Sequence, residues 1–460
     1  MTDLFITLYA LFILWFMGIN FMLATGLRQS DNPFLANLAS EFCIGAGLLY
    51  LLLLTGTFIT GSLSPIIVYT VLFILIIFNL LTSGKVHLKQ IHFLHKKEAA
   101  GFLLTLSLLF LLFLPSIEKG LEWDAWAIWA FKAKAFYLDG KIDSLFLSDM
   151  DRYAYSHPDY PLLFPLVKYW IYFHLGHVND HVIRLVPLAF WTFMLLFFYT
   201  TLLGRIKTKI ALLTLALLSL IWPVTQNVLM SSADAIQAFY NLLGIIYLYK
   251  WIEKSEKADF WTGSIILAMG MNVKNEGFAF WVSTALVLLI LSTVKIIQKD
   301  SNRQLKAFIR FSLTGLFISL LWIIDKKLMS IGSELFSKEI PSLGIILERS
   351  GDLSLFYLKQ ILNTGYSGWG FLWLFTALAL FKMVACGDVK KEHFQLYLAS
   401  CFIHMLVLFA IYCITPYEIN YHIQTSGDRT LLQLAPAIFW ISTVSLFSDQ
   451  NKENKLNNSL

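Results

Sequence analysis

Two carboxylates, Glu122 and Asp124, stand in an aromatic stretch, LEWDAWAIWAFKAKAFYLDG, directly after the apolar run from Gly101 to Pro115. An acid beside a hydrocarbon boundary is costly unless it is solvated, paired or used in chemistry, and a base held at that depth suits a membrane enzyme. On a regular helix the two acids would point about 200° apart, so both reach one site only through an irregular turn. The economical arrangement is Asp124 as general base with Glu122 as its hydrogen-bonding partner. Trp123, Trp126, Trp129 and Phe136 recur near helical spacing, the pattern of a helix lying in the membrane interface. Solvated acids among ordinary headgroup-level aromatics would give the same pattern.

Three more polar motifs interrupt apolar sequence. In SHPDYPLLFP, His157 and Asp159 lie among Pro158, Pro161 and Pro165, whose fixed φ angles make a rigid approach to an apolar segment. A plain membrane re-entry signal reads the same way, and the His–Asp pair is too sparse for a metal site. MNVKNEGFAFW sets Lys274, Asn275 and Glu276 between two apolar runs with almost no loop. Lys274 either pairs with Glu276 in a tight hairpin or offers a point charge to a phosphate. In SGDRTLLQLAPA, Arg429 opens the last apolar run. It either snorkels or pairs with Asp428, or it grips a lipid phosphate bidentately.

The elements that must position these groups are membrane helices. Hydrophobic residues make up 57% of the 460 positions and charged residues 14%, with mean hydropathy +0.67. A water-facing surface needs roughly 25% charge, so a soluble domain is excluded. A net charge of +5, with the basic residues in short loops, gives no sign of nucleic-acid binding. Apolar runs at 4–24, 43–62, 65–82, 100–116, 183–203, 210–223, 234–251, 260–273, 277–297, 308–325, 368–385, 394–414 and 430–447 predict an all-α polytopic bundle of about 13 transmembrane helices. The first run lacks a basic flank and a cleavage site, so it reads as a retained helix. Cys43, Cys386, Cys401 and Cys413 read as buried thiols, with neither a disulfide framework nor a zinc site.

Lysines and arginines sort the loops. Lys85–Lys97, Arg205–Lys209, Lys254–Lys257, Lys295–Lys306 and Lys390–Lys391 mark the cytoplasmic side, which leaves Asp124, Asp234, Lys274, Arg349 and Arg429 on the other face. Parity then requires either that 160–175, which carries Lys168 mid-run, is an embedded or interfacial helix, or that a neighbouring segment fails to span; with 160–175 not crossing, the N-terminus lies outside and the C-terminus inside. Three regions follow: N-terminal helices with a basic loop (1–99), a membrane domain (100–447) with outer segments 117–158 and 326–367, and a cytoplasmic tail (448–460).

The order of these motifs resembles the GT-C superfamily of polyprenyl-phosphate-sugar glycosyltransferases, which includes protein O-mannosyltransferases and the lipid A aminoarabinose transferase. The likeness runs through Glu122-Trp-Asp124, His157–Pro165, Arg184-Leu-Val-Pro187, Ser231-Ser-Ala-Asp234, Lys274-Asn-Glu-Gly277 and Arg429-Thr-Leu-Leu. It implies transfer of a sugar from a polyprenyl-phosphate donor to an acceptor hydroxyl at the outer membrane face. On that likeness Asp124 and Glu122 are the catalytic acids, and His157, Asp159, Asp234, Lys274, Glu276 and Arg429 bind substrate. No cofactor is required, although the paired acids leave room for a divalent cation. A polyprenyl-linked glycan ligase or polymerase, and a lipid-linked sugar transporter or flippase, are the competing readings.

Overall fold

The computed structural model describes residues 2–82, 94–117, 120–142, 147–149, 151–298, 302–332, 341–365 and 368–448. Among these residues the regular structure is helical. In chain order the helices are α1 (Thr2–Ala24), α2 (Phe34–Thr60), α3 (Pro65–Thr82), α4 (Lys96–Ile117), α5 (Phe131–Asp139), α6 (Leu163–Leu175), α7 (Leu185–Leu202), α8 (Thr208–Leu220), α9 (Trp222–Leu229), α10 (Ala233–Lys254), α11 (Lys257–Gly270), α12 (Asn275–Ile297), α13 (Arg303–Leu328), α14 (Leu343–Leu362), α15 (Leu372–Ala385), α16 (Glu392–Ile414), α17 (Ile419–Leu432) and α18 (Ala435–Phe447).

Seven of the described helices are long and apolar enough to cross a membrane, and nine spans result if each bent pair counts as one. The bent pairs are α8–α9, which turns by 60°, and α17–α18, which turns by 41°. A multi-helix membrane bundle is therefore what the fold presents, with fewer full-length spans than the thirteen apolar runs. Four helices make the difference: α11 and α15 have 14 residues each, below the ~20 a regular helix needs to traverse hydrocarbon, while α4 and α10, at 22 residues each, are long enough but are not among the counted spans.

α10 is buried along nearly its whole length, including its polar residues Asp234, Gln237 and Asn241. α1 and α2 approach closely through glycines. A Cβ at Gly18 would lie 1.7 Å from the Glu41 carbonyl oxygen, and one at Gly45 would lie 1.8 Å from that of Leu14. Between them Glu41 accepts from Arg28 at 2.7 Å and from the Trp15 indole at 2.8 Å, which satisfies a charge in the interior.

The helices share two ends. At the basic end Lys250 donates to Asn32 at 2.5 Å, Tyr199 donates to the Lys97 carbonyl at 2.6 Å, and Arg303 donates to the Trp251 carbonyl at 3.0 Å. At the opposite end lie the starts of α10 and α12 and the segment around Asp159. α6 begins there, its Leu163 N–H bonded to the Asn272 carbonyl at 3.0 Å. It also ends there, because His177 just beyond it meets Asp3 at 3.0 Å. An element with both ends on one side leaves the parity argument intact. Its interior is packed throughout and Lys168 is fully buried.

Two expectations need correction. Cys43, Cys401 and Cys413 are buried, but Cys386 is exposed because it falls one residue past the end of α15. The aromatic helix also does not present one interfacial face: Trp123 and Trp126 are exposed while Trp129 and Phe136 are buried in the core. Of the outer segment 326–367, the described part forms α14. It docks through Arg349, which donates to the Cys413, Thr415 and Tyr417 carbonyls at 3.3, 2.7 and 3.3 Å. Those are orphan acceptors at and beyond the C-terminus of α16. Beyond Ser448, the tail lies outside the described residues.

Candidate functional site

Asp124 precedes a π-helical turn, Ala125–Ala130, whose closing bond runs from the Phe131 N–H to the Trp126 carbonyl. The wide turn shifts the helical phase of Asp124 relative to α5, but it lies after both acids and leaves the angle between Glu122 and Asp124 unchanged. The two acids part. Asp124 forms an ion pair with Arg429, 305 residues away in sequence, while Glu122 is exposed and lies within electrostatic reach of Arg184. Glu122 as hydrogen-bonding partner of Asp124 is thus corrected: the partner is an arginine from the far end of the chain.

Arg429 sits one turn from the C-terminal end of α17, whose first turn is capped by Glu418 accepting from the Asn420 and Tyr421 N–H groups at 2.9 and 2.7 Å. It therefore does not open the last spanning run, and it reaches Asp124 where pairing with Asp428 was the alternative. One helical turn on, Gln433 follows from the same face and donates to Asp234 at 2.7 Å. Asp234 lies in the first turn of α10, where Ser232 caps its N–H at 3.1 Å and donates to its second oxygen at 2.8 Å. Lys274 precedes α12 and donates to Asp234 at 2.9 Å and to Glu276 at 2.8 Å. Burial opposes the charge on Lys274, and the carboxylates of Asp234 and Glu276 overcome that opposition, raising its pKa above the ordinary lysine range.

Asp159 joins from the third motif. Its carboxylate accepts from Asn275 at 3.3 Å and its carbonyl accepts from Lys326 at 3.4 Å. Beside it His157 adopts φ 47°, a left-handed conformation that non-glycine residues reach at a cost of about 1 kcal/mol or more. Its ring stacks on Tyr160 at 4.7 Å, and its carbonyl accepts from Lys132 at 2.6 Å. Tyr160 forms an aromatic floor, with the Lys132 and Lys274 ammonium groups 5.8 and 5.9 Å from its ring centre. Burial pushes Lys132 down to about 7, Asp159 counters part of that, and Lys326 adds to it.

Asp124, Asp159, Asp234, Lys274, Glu276 and Arg429 therefore gather at one end of the bundle, with His157 at the margin and Glu122 apart. Three buried polar atoms here have no hydrogen-bond partner among the described residues: Arg429 Nε, Glu276 Oε2 and Gln433 Oε1. Buried polar atoms are satisfied in some 90% of cases, so the cluster retains capacity for a further polar ligand. No group of three or more His, Cys, Asp or Glu side chains suited to a metal occurs among the described residues. An apolar cavity of about 540 Å³ lies among α14, α15, α16, α17 and α18, lined by Tyr357, Leu431, Ile438, Met405 and Phe402 among others. Leu431 is two residues from Arg429, about 200° round α17, so this helix carries the charged cluster on one side and the cavity on the other.

Sequence reading misses Lys132, Tyr160 and Gln433. Gln433 carried a signal, since it lies four residues after Arg429 and so on the same helical face. A stripe of polar residues on α10 carried another: Gln237 donates to Asn241 at 2.9 Å, and Asn241 to the Gln433 carbonyl at 3.2 Å. Searches of family models, curated proteins and solved structures return no match to this chain.

Proposed function

We propose that the chain is a membrane glycosyltransferase of GT-C type, moving a sugar from a polyprenyl-phosphate donor to an acceptor hydroxyl at the non-cytoplasmic face. The observation that carries this reading is the meeting of Asp124, Lys274 and Arg429 in one cluster, with Arg429 on a helix whose other side lines an apolar cavity. A donor with a phosphate head and a prenyl tail needs a cationic site joined to a hydrocarbon site, because the tail stays in the bilayer. On this reading the four helices α4, α10, α11 and α15 cross together with the nine spans, giving thirteen. The basic end is then cytoplasmic.

The ion pairs suggest an order of events. In the free protein Arg429 is engaged by Asp124. The donor phosphate competes for that guanidinium, supplying two oxygens to its planar edge and meeting the Nε donor. Asp124, released, accepts the proton of the acceptor hydroxyl. The hydroxyl oxygen attacks the anomeric carbon, the bond from that carbon to the phosphate oxygen breaks, and the electron pair leaves on the polyprenyl phosphate with inversion. Lys274 keeps Asp234 and Glu276 as partners and presents its charge from behind. Asp234, with both oxygens bonded, positions Lys274 and Gln433.

Membranes containing the protein, offered a panel of radiolabelled polyprenyl-phosphate sugars, test the proposal. Transfer that falls 10²–10⁴-fold in Asp124→Asn at normal abundance supports it. Full activity in that variant moves the base to Glu122 or Asp159. The bends at α8–α9 and α17–α18 favour a second reading, a transporter or flippase of the lipid-linked sugar built on broken helices. Donor translocation in proteoliposomes without any transfer would select it.

A further inference from the structure

A second cavity, about 440 Å³, opens at the basic end between α11 and α13, far along both helices from the charged cluster. Its lining includes Lys257, Arg303, Lys306 and Arg310 together with Trp251 and Trp261, and no carboxylate. Arg303 is built into the wall: it donates to Ser255 at 2.9 Å and to the Trp251 carbonyl, and its guanidinium lies 4.9 Å from the Trp251 ring centre. Lys257, Lys306 and Arg310 are exposed and make no ion pair among the described residues. Of the neighbouring acids, Glu253 is held by Arg205 and Asp259 by Lys250 at 3.3 Å, while Glu256, next to Lys257, is exposed and does not line the cavity.

Spacing along α13 says what sort of anion would fit. Lys306, Arg310, Leu313 and Phe317 succeed one another by four, three and four residues, so they form one stripe on one helical face. Leu313 is 59% exposed and Phe317 is 77% exposed. The stripe thus runs from two unpaired cations to bare apolar surface in the direction of the bilayer interior. A free phosphate or nucleotide would use the cations and leave the apolar continuation unexplained. A lipid with an anionic headgroup uses both, its phosphate among Lys257, Lys306 and Arg310 and its acyl chains along Leu313 and Phe317.

We infer that this cavity is a binding site for one anionic phospholipid of the leaflet that meets the basic end. It is separate from the charged cluster and does not depend on the glycosyltransferase reading. The bound lipid would also brace α13 against α11, the pair whose opposite ends lead to Lys326, which donates to the Asp159 carbonyl, and to Asn272, whose carbonyl accepts from the Leu163 N–H.

The full-length protein in nanodiscs tests it, with phosphatidylglycerol or phosphatidylcholine as the guest lipid and retained lipid read by native mass spectrometry. The expected result is preferential retention of one phosphatidylglycerol, lost about 10-fold in the Lys306→Gln/Arg310→Gln double variant. Lys306→Arg/Arg310→Lys, which keeps both charges, should retain it and shows that the site tolerates substitution. Lys390→Gln/Lys391→Gln removes the same charge from the same end of the molecule and should leave retention unchanged. Equal loss in both neutralised variants means diffuse surface attraction and overturns the site. Equal retention of the two lipids overturns it too, as does displacement of phosphatidylglycerol by inorganic phosphate.

Discussion

Lys132 is the residue at which solution pH enters the candidate site. It is fully buried outside the spanning segments, with its pKa pushed down to about 7. The unfolded chain holds that proton up to about 10.5, so between about 7 and 10.5 the unfolded state binds more protons and stability rises with pH. Below about 7 the penalty for a buried ammonium is fully present. Thermal unfolding of the wild type should therefore move to higher temperature from neutral toward alkaline pH, and Lys132→Met should lose that increment. In the proposed reaction donor affinity should fall as pH rises through about 7, where folded Lys132 loses its charge and one cation over Tyr160 disappears. For Arg429→Gln, loss of a charge-assisted contact worth about 1.5–3 kcal/mol predicts donor affinity weaker by roughly 10- to 100-fold, read as a rise in the donor's apparent Kd. Asp234→Asn should act differently. It weakens the ties of a buried lysine and of Gln433, so its main effect is on folded abundance, and more severely than Glu276→Gln, whose side chain is 18% exposed. Asp124, Lys274 and Arg429 are legible in sequence because a charge in apolar surroundings has few reasons to be there. Their partners are not, since an ion pair between residues 124 and 429 is a property of the packed bundle.

At the scale of elements, α14 docks through one small apolar cluster and one arginine. Only Leu353 of this helix is fully buried, with Ile346, Phe356 and Tyr357 packed around it, and the three carbonyl contacts of Arg349 supply the polar part of its docking. Arg349→Gln should speed amide hydrogen exchange in 343–362 by about 10-fold, the equivalent of losing one charged hydrogen bond, while α10 exchange stays unchanged. Apolar run length predicts the helices themselves well, because burial in lipid or protein demands a closed backbone in either case. It predicts their breaks poorly. The bend after Leu220 precedes Trp222-Pro223, where proline suits a first helical turn, and Pro436 marks the bend before α18 in the same way. The apolar run 210–223 stops before most of α9, and the run 430–447 begins only at the end of the polar helix α17, so neither run shows that a bend joins two helices.

For the whole molecule, the separation into a basic and a charged-cluster end supplies a topology test with a native probe. Cys386 is the exposed thiol at the basic end, and the other three are buried. In sealed vesicles a membrane-impermeant maleimide should label it only when the cytoplasmic surface is accessible. A cysteine replacing Lys141, with Cys386→Ser, should label from the opposite side. Labelling of both from one side would reject the arrangement. The gathering of basic loops at one end is legible in sequence because lysine and arginine positions are read directly. The number of full crossings is not, because apolar run length does not fix helix length, and α11 and α15 have only 14 residues each.

The π-turn at Ala125–Ala130 has a genetic consequence. A π-turn is an α-helix carrying one surplus residue, so the reading of this helix as a site depends on a count. Deleting Ala127 would let the segment relax to regular α-helix and swing Asp124 by about 100° about the axis relative to α5. No side chain would change chemistry, yet the carboxylate would no longer face Arg429. The loss of a single codon among alanines, in a stretch where substitutions look harmless, should be as damaging as removing the acid itself.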